Sequence, residues 1–440
     1  MMLKRRLIHR RYGDLVYARD MEAGREFLFN ETVGDVLDYL AARPDAGTED
    51  LAAHMQALYG AVDMRGEAEA CMRFLAENGL LEAAALEPQE PETRVHERIL
   101  EHCAKAHQLY AVALEVTYRC CERCVHCYID DDAQAMRARE LTTRELCAVL
   151  DELRAMGCAS VLLTGGEVCL REDLVEIVRH AVGIGMIVDI YTTGVGMTDV
   201  QFDALCSLGI NTVSFSLYGG TPEVHDAITR VPGSFQKTLE RMMMFKCAGV
   251  STYIKTIALR QNAHDLPNLY RLAKRLRMDV GLACLVSPTH GGASAEALRL
   301  NDAAGYRELL EMDWAADPYP MRKEARDLDG PVCGCGQYML SIDPYGGIHP
   351  CVAVGLTLGN VRTDSLQQIW ASSDVLERLR RVAFRDLACG VEECGHRDFC
   401  SVCMGSCYQE ETGKVCPARE NCALAEAMHG FAREKGAKVE

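Results

Sequence analysis

The sequence predicts an α/β protein built on a partial (β/α)6 barrel, with a winged-helix-like α+β module before it and a cysteine-rich domain after it. Three observations predict this. Six short apolar runs alternate with amphipathic segments of helix length between residues 111 and 290. Three strand-like stretches, then three helix-like ones, fill residues 1–86. Ten of the 22 cysteines crowd between Cys333 and Cys422, where apolar periodicity is poor.

In the first module, "RLIHRRYG", "DLVYARD" and "REFLFNE" read as short strands rich in Leu, Val, Tyr and Phe. "TVGDVLDYLAAR", "TEDLAAHMQALYG" and "GEAEACMRFLAENGLLEA" carry apolar residues at helical spacing, with Thr48 as an N-cap and Gly79 as a stop. Residues 87–110 open on the Pro- and Glu-rich "ALEPQEPETR" stretch and read as a linker.

The barrel strands are "AVALEVTY", "ASVLLTGG", "GMIVDIYTTG", "INTVSFSLYGG", "VSTYIKTIAL" and "MDVGLACLVS". Helices are expected near 142–156, 172–182, 199–208, 234–248 and 264–276. Thr142 with Glu145 and Thr198 with Gln201 fit capping boxes. Alternation of this kind gives a parallel sheet with right-handed crossovers, and six units are too few for a closed eight-fold barrel. The site then belongs at the C-terminal strand ends. "CCERCVHC" follows the first strand, "TGGE" the second and "SLYGG" the fourth, all on that rim. Residues 291–332 bridge to the last domain, 333–440, where "LQQIWASSDVLERLRR" reads as a single helix. A segment that buries so little apolar area needs staples, and metal clusters would serve.

Composition narrows the function. The net charge of −17 argues against nucleic-acid binding, which depends on Lys and Arg at phosphates. No run of 18 apolar residues appears, so no membrane span is expected. The basic start "MMLKRRLIHRRYGD" lacks an apolar core and a cleavage site, and a cytoplasmic protein is expected. In that compartment the cysteines read as metal or iron–sulfur ligands rather than disulfides. Cys71, Cys103, Cys147, Cys158, Cys169, Cys206, Cys247 and Cys284 are scattered and read as small buried hydrophobes.

Cys120, Cys124 and Cys127 are spaced Cys-x3-Cys-x2-Cys. Three thiolates on one loop can hold three irons of a [4Fe–4S] cube and leave the fourth open. The alternative is a zinc site completed by Cys121 or His126. The triplet after the first strand, Gly165–Gly166–Glu167 after the second, and "SFSLYGGTPEVHDAITRVPGSFQKTLE" together resemble the radical S-adenosylmethionine (SAM) superfamily over about residues 111–290. The resemblance implies that the open iron chelates SAM and that an electron from the reduced cube cleaves it. The 5′-deoxyadenosyl radical so formed takes hydrogen from a substrate. It also implies that the backbone and carboxylate of Gly165, Gly166 and Glu167 engage the SAM amino group, with glycine chosen for close approach. Ser216 then faces the ribose or carboxylate of SAM, and Lys255, at the end of the fifth strand, the carboxylate. The sequence departs from the family at Cys121, where Asn is common, at "TGGEV", and at Thr193 of "YTTG". Cys121 is then a spare thiol.

Cys335-x10-Gly346-x4-Cys351, then Cys389-x4-Cys394-x5-Cys400-x2-Cys403, resembles the SPASM extension of that superfamily, with altered gaps. This implies two auxiliary [4Fe–4S] clusters: one on Cys333 or Cys335 or both, Cys351 and Cys403, the other on Cys389, Cys394, Cys400 and Cys422. Cys407 is an alternative to Cys403, and zinc an alternative metal for either set. Residues 1–86 resemble the PqqD-like recognition element of ribosomal-peptide maturases, on "LVYARD", "FLFNETVGDVLDYL", "LAAHMQALYG" and "FLAENGLLE". Such modules add a leader peptide as an extra strand. A winged-helix DNA binder is the alternative, and the acidity and the lack of a basic recognition helix oppose it. The expected function is a radical SAM peptide maturase that abstracts hydrogen from a core residue, with thioether formation from Cys sulfur as the leading reaction. Carbon–carbon cross-linking, epimerisation and protein activation share the same motifs. Its partners would be a precursor peptide and a reductant such as flavodoxin or ferredoxin. A non-catalytic iron–sulfur protein is the reading from another class.

Overall fold

The structure is a computed structural model. It describes residues 2–60, 63–82, 95–130, 139–289, 294–300, 302–316, 325–409 and 414–435. The chain forms two compact units, Met1–Tyr110 and Ala111–Glu440.

In the first unit, β1 (Leu7–Tyr12), β2 (Leu15–Asp20) and β3 (Arg25–Phe29) form an antiparallel meander in that order. Side chains alternate across it. Val16, Ala18 and Phe29 point into a core with Leu37, Leu40, Leu51 and Leu75 from helices Glu31–Ala42, Thr48–Tyr59 and Arg65–Glu77. Gly47, not Thr48, occupies the cap of the second helix, and its N–H is held by Asp50 at 2.9 Å. Gly79 ends the third helix with φ +66°, as expected.

The expected linker is shorter than 87–110. Its first eight residues lie outside the described ones, but Val95–Ala106 is a helix. Val95, Ile99 and Cys103 recur at i, i+4 and i+8 and are buried. The Pro- and Glu-rich opening of the stretch had masked that stripe.

In the second unit all six expected barrel strands form: β4 (Ala111–Thr117), β5 (Ser160–Gly165), β6 (Ile187–Thr192), β7 (Thr212–Ser216), β8 (Thr252–Ile257) and β9 (Val280–Ala283). They are parallel and neighbour one another in chain order. Leu114, Val161, Leu163, Ile190, Val213, Phe215 and Ile254 are fully buried along them. Both expected capping boxes form, on Thr142–Glu145 and Thr198–Gln201.

The cysteine-rich part differs from expectation in its strands and in its helices, among them an unexpected 16-residue helix, Arg419–Glu434. The strands extend the barrel sheet: β10 (Met339–Ile342) runs parallel beside β4, and β11 (Gly347–His349) and β12 (Gly359–Asn360) follow it. The single expected helix is two, Leu366–Ser372 and Asp374–Arg380. Ser373 divides them in an extended conformation. Its N–H bonds back to Ile369 O, and its hydroxyl accepts from Leu376 N at 3.4 Å.

Candidate active site

The cysteine loop leaves the end of β4 and is held from both sides. Its main chain donates to the end of the Pro222–Thr229 helix, Arg123 N to Thr229 O at 3.0 Å and Val125 N to Ile228 O at 2.9 Å. The residue after Cys127 anchors it to the strand: Tyr128 Oη donates to Glu115 Oε1 at 2.6 Å, and Tyr118 Oη to Glu115 Oε2 at 3.1 Å. Glu115 is buried in β4. Burial pushes its carboxyl up to about 7, against the pull of the two phenols.

The turn after β5 packs directly on this loop. Gly166 N donates to Thr117 O at 2.7 Å and Glu167 N to Arg119 O at 2.8 Å. A β-carbon on Gly166 would lie 2.3 Å from Arg119 O, and one on Gly165 would lie 2.2 Å from Thr117 O, where φ is +127°. The expected reason for these glycines was a close approach of ligand. The approach seen is that of the chain's own cysteine loop.

Glu167 also differs from expectation. Its carboxylate, fully buried, accepts four hydrogen bonds: from Thr192 Oγ1 (2.6 Å), Cys169 N (3.0 Å), Thr193 N (2.7 Å) and Thr193 Oγ1 (2.6 Å). It is committed to the corner after β6, and no lone pair is left for a ligand amino group. Thr193, standing where the family carries Asn, is one of those partners.

A cavity of about 200 Å³ opens among these elements, lined by Cys120, Cys124, Cys127, Gly165, Gly166 and Ser216. Tyr191, Thr193 and Tyr218 also line it. Lys255 does not line it. It lies inside β8, not at its end, paired in register with Ser216, and its ammonium sits 5.3 Å from the Tyr191 ring centre. Cys121 does not line the cavity either; its thiol is hydrogen-bonded to that of Cys120 and donates to Val195 O at 3.2 Å.

Two further residues line the cavity. Glu122 is 2% exposed. One of its oxygens accepts from Cys124 Sγ at 3.4 Å, and the other is without a partner among the described residues. Burial raises its carboxyl to about 8. His126, expected only as an alternative zinc ligand, sits with its ring steeply inclined to that of Tyr218, 4.6 Å between centres, and its Nδ1 is unpaired among the described residues. The signal for both was a charged or polar residue inside a short ligand loop, where the chain has no room to turn it outward.

The C-terminal thiols gather in two sets. Cys333 and Cys335 hydrogen-bond to each other, and Cys335 is within electrostatic reach of Cys351 and Cys403. Cys400 is likewise near Cys422, Cys389 and Cys394, and Cys389 near Cys416 as well. Cys407 instead donates to Asn421 Oδ1 at 3.5 Å. Among the described residues, no three His, Cys, Asp or Glu side chains surround one point as the ligands of a single ion would. A cube asks only one thiolate per iron.

A partial (β/α)6 barrel with a three-thiol loop after the first strand, a Gly-Gly-Glu turn packed on it, and a cavity between them defines an enzyme that works with an iron–sulfur cluster and SAM. The model of the radical SAM superfamily matches residues 114–273, and that of the SPASM iron–sulfur cluster-binding domain residues 333–408. The AdoMet-dependent heme synthase of Oleidesulfovibrio alaskensis is 28% identical over 70% of this chain and 84% of its own length. The PqqA peptide cyclase of Ruegeria pomeroyi is 30% identical over 59% of this chain and 73% of its own. Among solved structures, Streptococcus suis SuiB bound to its precursor peptide SuiA matches 96% of this chain and 99% of its own, with a TM-score of 0.65 at 15% identity. The chain belongs to the radical SAM superfamily, in the branch that carries a SPASM domain. It is an enzyme, and its cofactors are SAM and iron–sulfur clusters. The donors fit that chemistry: soft thiolates in three sets, the first beside a cavity with an unsatisfied buried carboxyl oxygen. No described helix is long and apolar enough to cross a membrane.

Proposed function

We propose that this enzyme is a peptide maturase. It binds the leader of a ribosomally made precursor on residues 1–86 and modifies a core residue, forming a thioether from a cysteine sulfur. The observation that carries the reading is the outer strand β3, bonded among the described residues to β2 alone, in the same chain as the three-thiol cavity. An outer strand of this kind takes a peptide by strand addition. The half-buried Phe27 and the exposed Phe74, both packed on the buried Phe29, offer apolar contact for alternate side chains. The fold likeness to SuiB, a structure with a precursor peptide bound, supports it.

In this reading residues 1–86 are a PqqD-like module and Cys120, Cys124 and Cys127 hold the SAM-binding cube. Cys333, Cys335, Cys351 and Cys403 hold one auxiliary cluster, and Cys389, Cys394, Cys400 and Cys422 the other. When bound, the reduced cube and SAM supply a hydrogen-abstracting radical. The backbone at Gly165 and Gly166 faces the SAM amino group, and Ser216 its ribose or carboxylate. Lys255 acts through the Tyr191 wall rather than by contact. Making a thioether removes two hydrogens from the peptide, one as an atom and one as a proton, and leaves one electron for an auxiliary centre to accept.

The test is anaerobic incubation of the reconstituted chain with SAM, a flavodoxin- or ferredoxin-class reductant and a cysteine-rich peptide encoded beside its gene. Deoxyadenosine, methionine and a peptide lighter by two hydrogens are expected. A modified residue at unchanged mass would make the enzyme an epimerase, a carbon–carbon bond would replace the thioether, and no deoxyadenosine at all would leave a non-catalytic cluster protein.

A further inference from the structure

A second cavity, about 400 Å³ and open, reaches two of the same thiols. It shares Cys124, Cys127 and Ile129 with the first cavity, and the rest of its wall is Arg123, Asp130, Arg230 and Thr289. Gly165, Gly166, Thr193 and Ser216 line the first cavity only.

Arg230 stands out in this wall. It follows the Pro222–Thr229 helix in the left-handed region, with φ +59° and ψ +26°. Only His107 and Arg277 share that conformation among the described non-glycine residues. Glycine would adopt it freely, whereas a β-carbon costs on the order of 1 kcal/mol. No contact offsets that cost: among the described residues the exposed guanidinium makes no side-chain hydrogen bond or ion pair. A strained arginine without a partner among the described residues is suited to a partner from outside the chain. Arg123, also exposed, donates to Cys120 O at 3.0 Å and Glu122 O at 2.8 Å, which fixes a second cation beside the loop.

The whole chain carries −17, so it repels an acidic protein at long range. Among the described residues of this wall, Arg123 and Arg230 outnumber the one carboxylate, Asp130, so the mouth is locally positive. A peptide whose C–H is to react must reach the first cavity. An electron needs only to reach the thiols, and the second cavity leads there without crossing the Gly-Gly-Glu wall.

We propose that Arg230 and Arg123 form the docking mouth for an acidic protein reductant of the flavodoxin or ferredoxin class, which delivers its electron past Cys124 and Cys127. The donor loses one electron and the cluster gains one, and no bond is made or broken. The proposal rests on the cluster assignment above.

The experiment follows cluster bleaching by stopped flow in the reconstituted full chain, wild type, Arg230→Gly and Arg230→Glu, at low and high salt. Arg230→Gly keeps the left-handed turn, so it removes the charge without threatening the fold. Two donors are compared: reduced flavodoxin and reduced methyl viologen, a cation that needs no docking. The second-order rate with flavodoxin should fall several-fold in Arg230→Gly and at least tenfold in Arg230→Glu. Its fall with added salt in wild type should flatten in Arg230→Gly, and viologen rates should not move. Unchanged flavodoxin rates would overturn the proposal. So would a parallel fall with viologen, which marks a displaced loop, or weaker binding of the precursor peptide, which marks a peptide site. If viologen bleaches no cluster even in wild type, the cluster assignment itself fails, and the docking mouth with it.

Discussion

Glu167 Oε2 accepts both the main-chain N–H and the hydroxyl of Thr193, at 2.7 and 2.6 Å. Its other oxygen holds Thr192 Oγ1 and Cys169 N. One buried carboxylate therefore ties the turn after β5 to the corner after β6, both on the cavity wall. Glu167→Gln places an amide N–H₂ against donors and leaves at least one of them unsatisfied. The expected cost is about 1–3 kcal/mol, seen as a lower melting midpoint of anaerobic protein. Thr193→Val, which keeps the main-chain bond, should lose less. Equal losses would show that the hydroxyl carries the tie.

Gly166 leaves no room for a side chain. A β-carbon 2.3 Å from Arg119 O and 2.7 Å from Tyr118 O must displace the first residues of the cysteine loop. Gly166→Ala should therefore lower iron content and SAM binding together. Gly183→Ala, at a helix end with open space around it, should leave both unchanged and be neutral or slightly stabilising. Equal behaviour of the two variants would remove the steric argument.

Much of this unit was legible because its signals are local. The six strands are contiguous apolar runs, and the boxes at Thr142 and Thr198 need only residues three apart. What could not be read depends on partners far along the chain. The match of Met339 to Ala111 that sets β10 beside β4 is a pairing over more than two hundred residues. The helix break at Ser373 turns on which way one hydroxyl points. Spacing picked out Cys120, Cys124, Cys127 and Gly165–Gly166–Glu167 as neighbours of one site, but not the direction of the Glu167 carboxylate. Its four donors come from residues 169, 192 and 193, three of them across a crossover. Glu122 carries only the pattern of a charged residue inside a short ligand loop, and Arg230 carries no sequence pattern at all. One is marked by burial and the other by a backbone angle.

The two C-terminal thiol sets make separate forecasts. Cys335, Cys351 and Cys403 lie near one another, as do Cys389, Cys394, Cys400 and Cys422. Replacing Cys351 and Cys403 together by Ala should remove about four irons per chain, one cube's worth. Replacing Cys394 and Cys422 together should remove about four more, and the four-fold variant should lose both lots. A pair drawn across the sets, Cys351 with Cys422, should already lose about eight. If the cross-set pair loses no more iron than the within-set pairs, the partition is wrong. Cys407→Ala, whose thiol faces Asn421, should keep its iron.

Glu115 should give the second unit a stability that falls as pH rises. Its carboxyl is pushed up to about 7 by burial in β4, against an ordinary value of 4.5. Between these limits the folded chain holds a proton that the unfolded chain has released. Folding is therefore most favoured below about 4.5, and the advantage is lost as pH climbs through about 7. The full swing is at most about 3 kcal/mol for this one group. Glu115→Gln cannot ionise and lacks the swing. Melting midpoints of cluster-free, anaerobic protein from pH 4.5 to 7.5 should thus shift in favour of the variant as pH rises. Tyr128→Phe supplies the complementary test. It removes the 2.6 Å phenol bond that pulls the carboxyl down, so the pH window in which wild type loses stability should move upward. A constant gap between wild type and Glu115→Gln across that range would mean that water reaches the carboxylate in solution and that the burial seen at β4 does not hold it neutral.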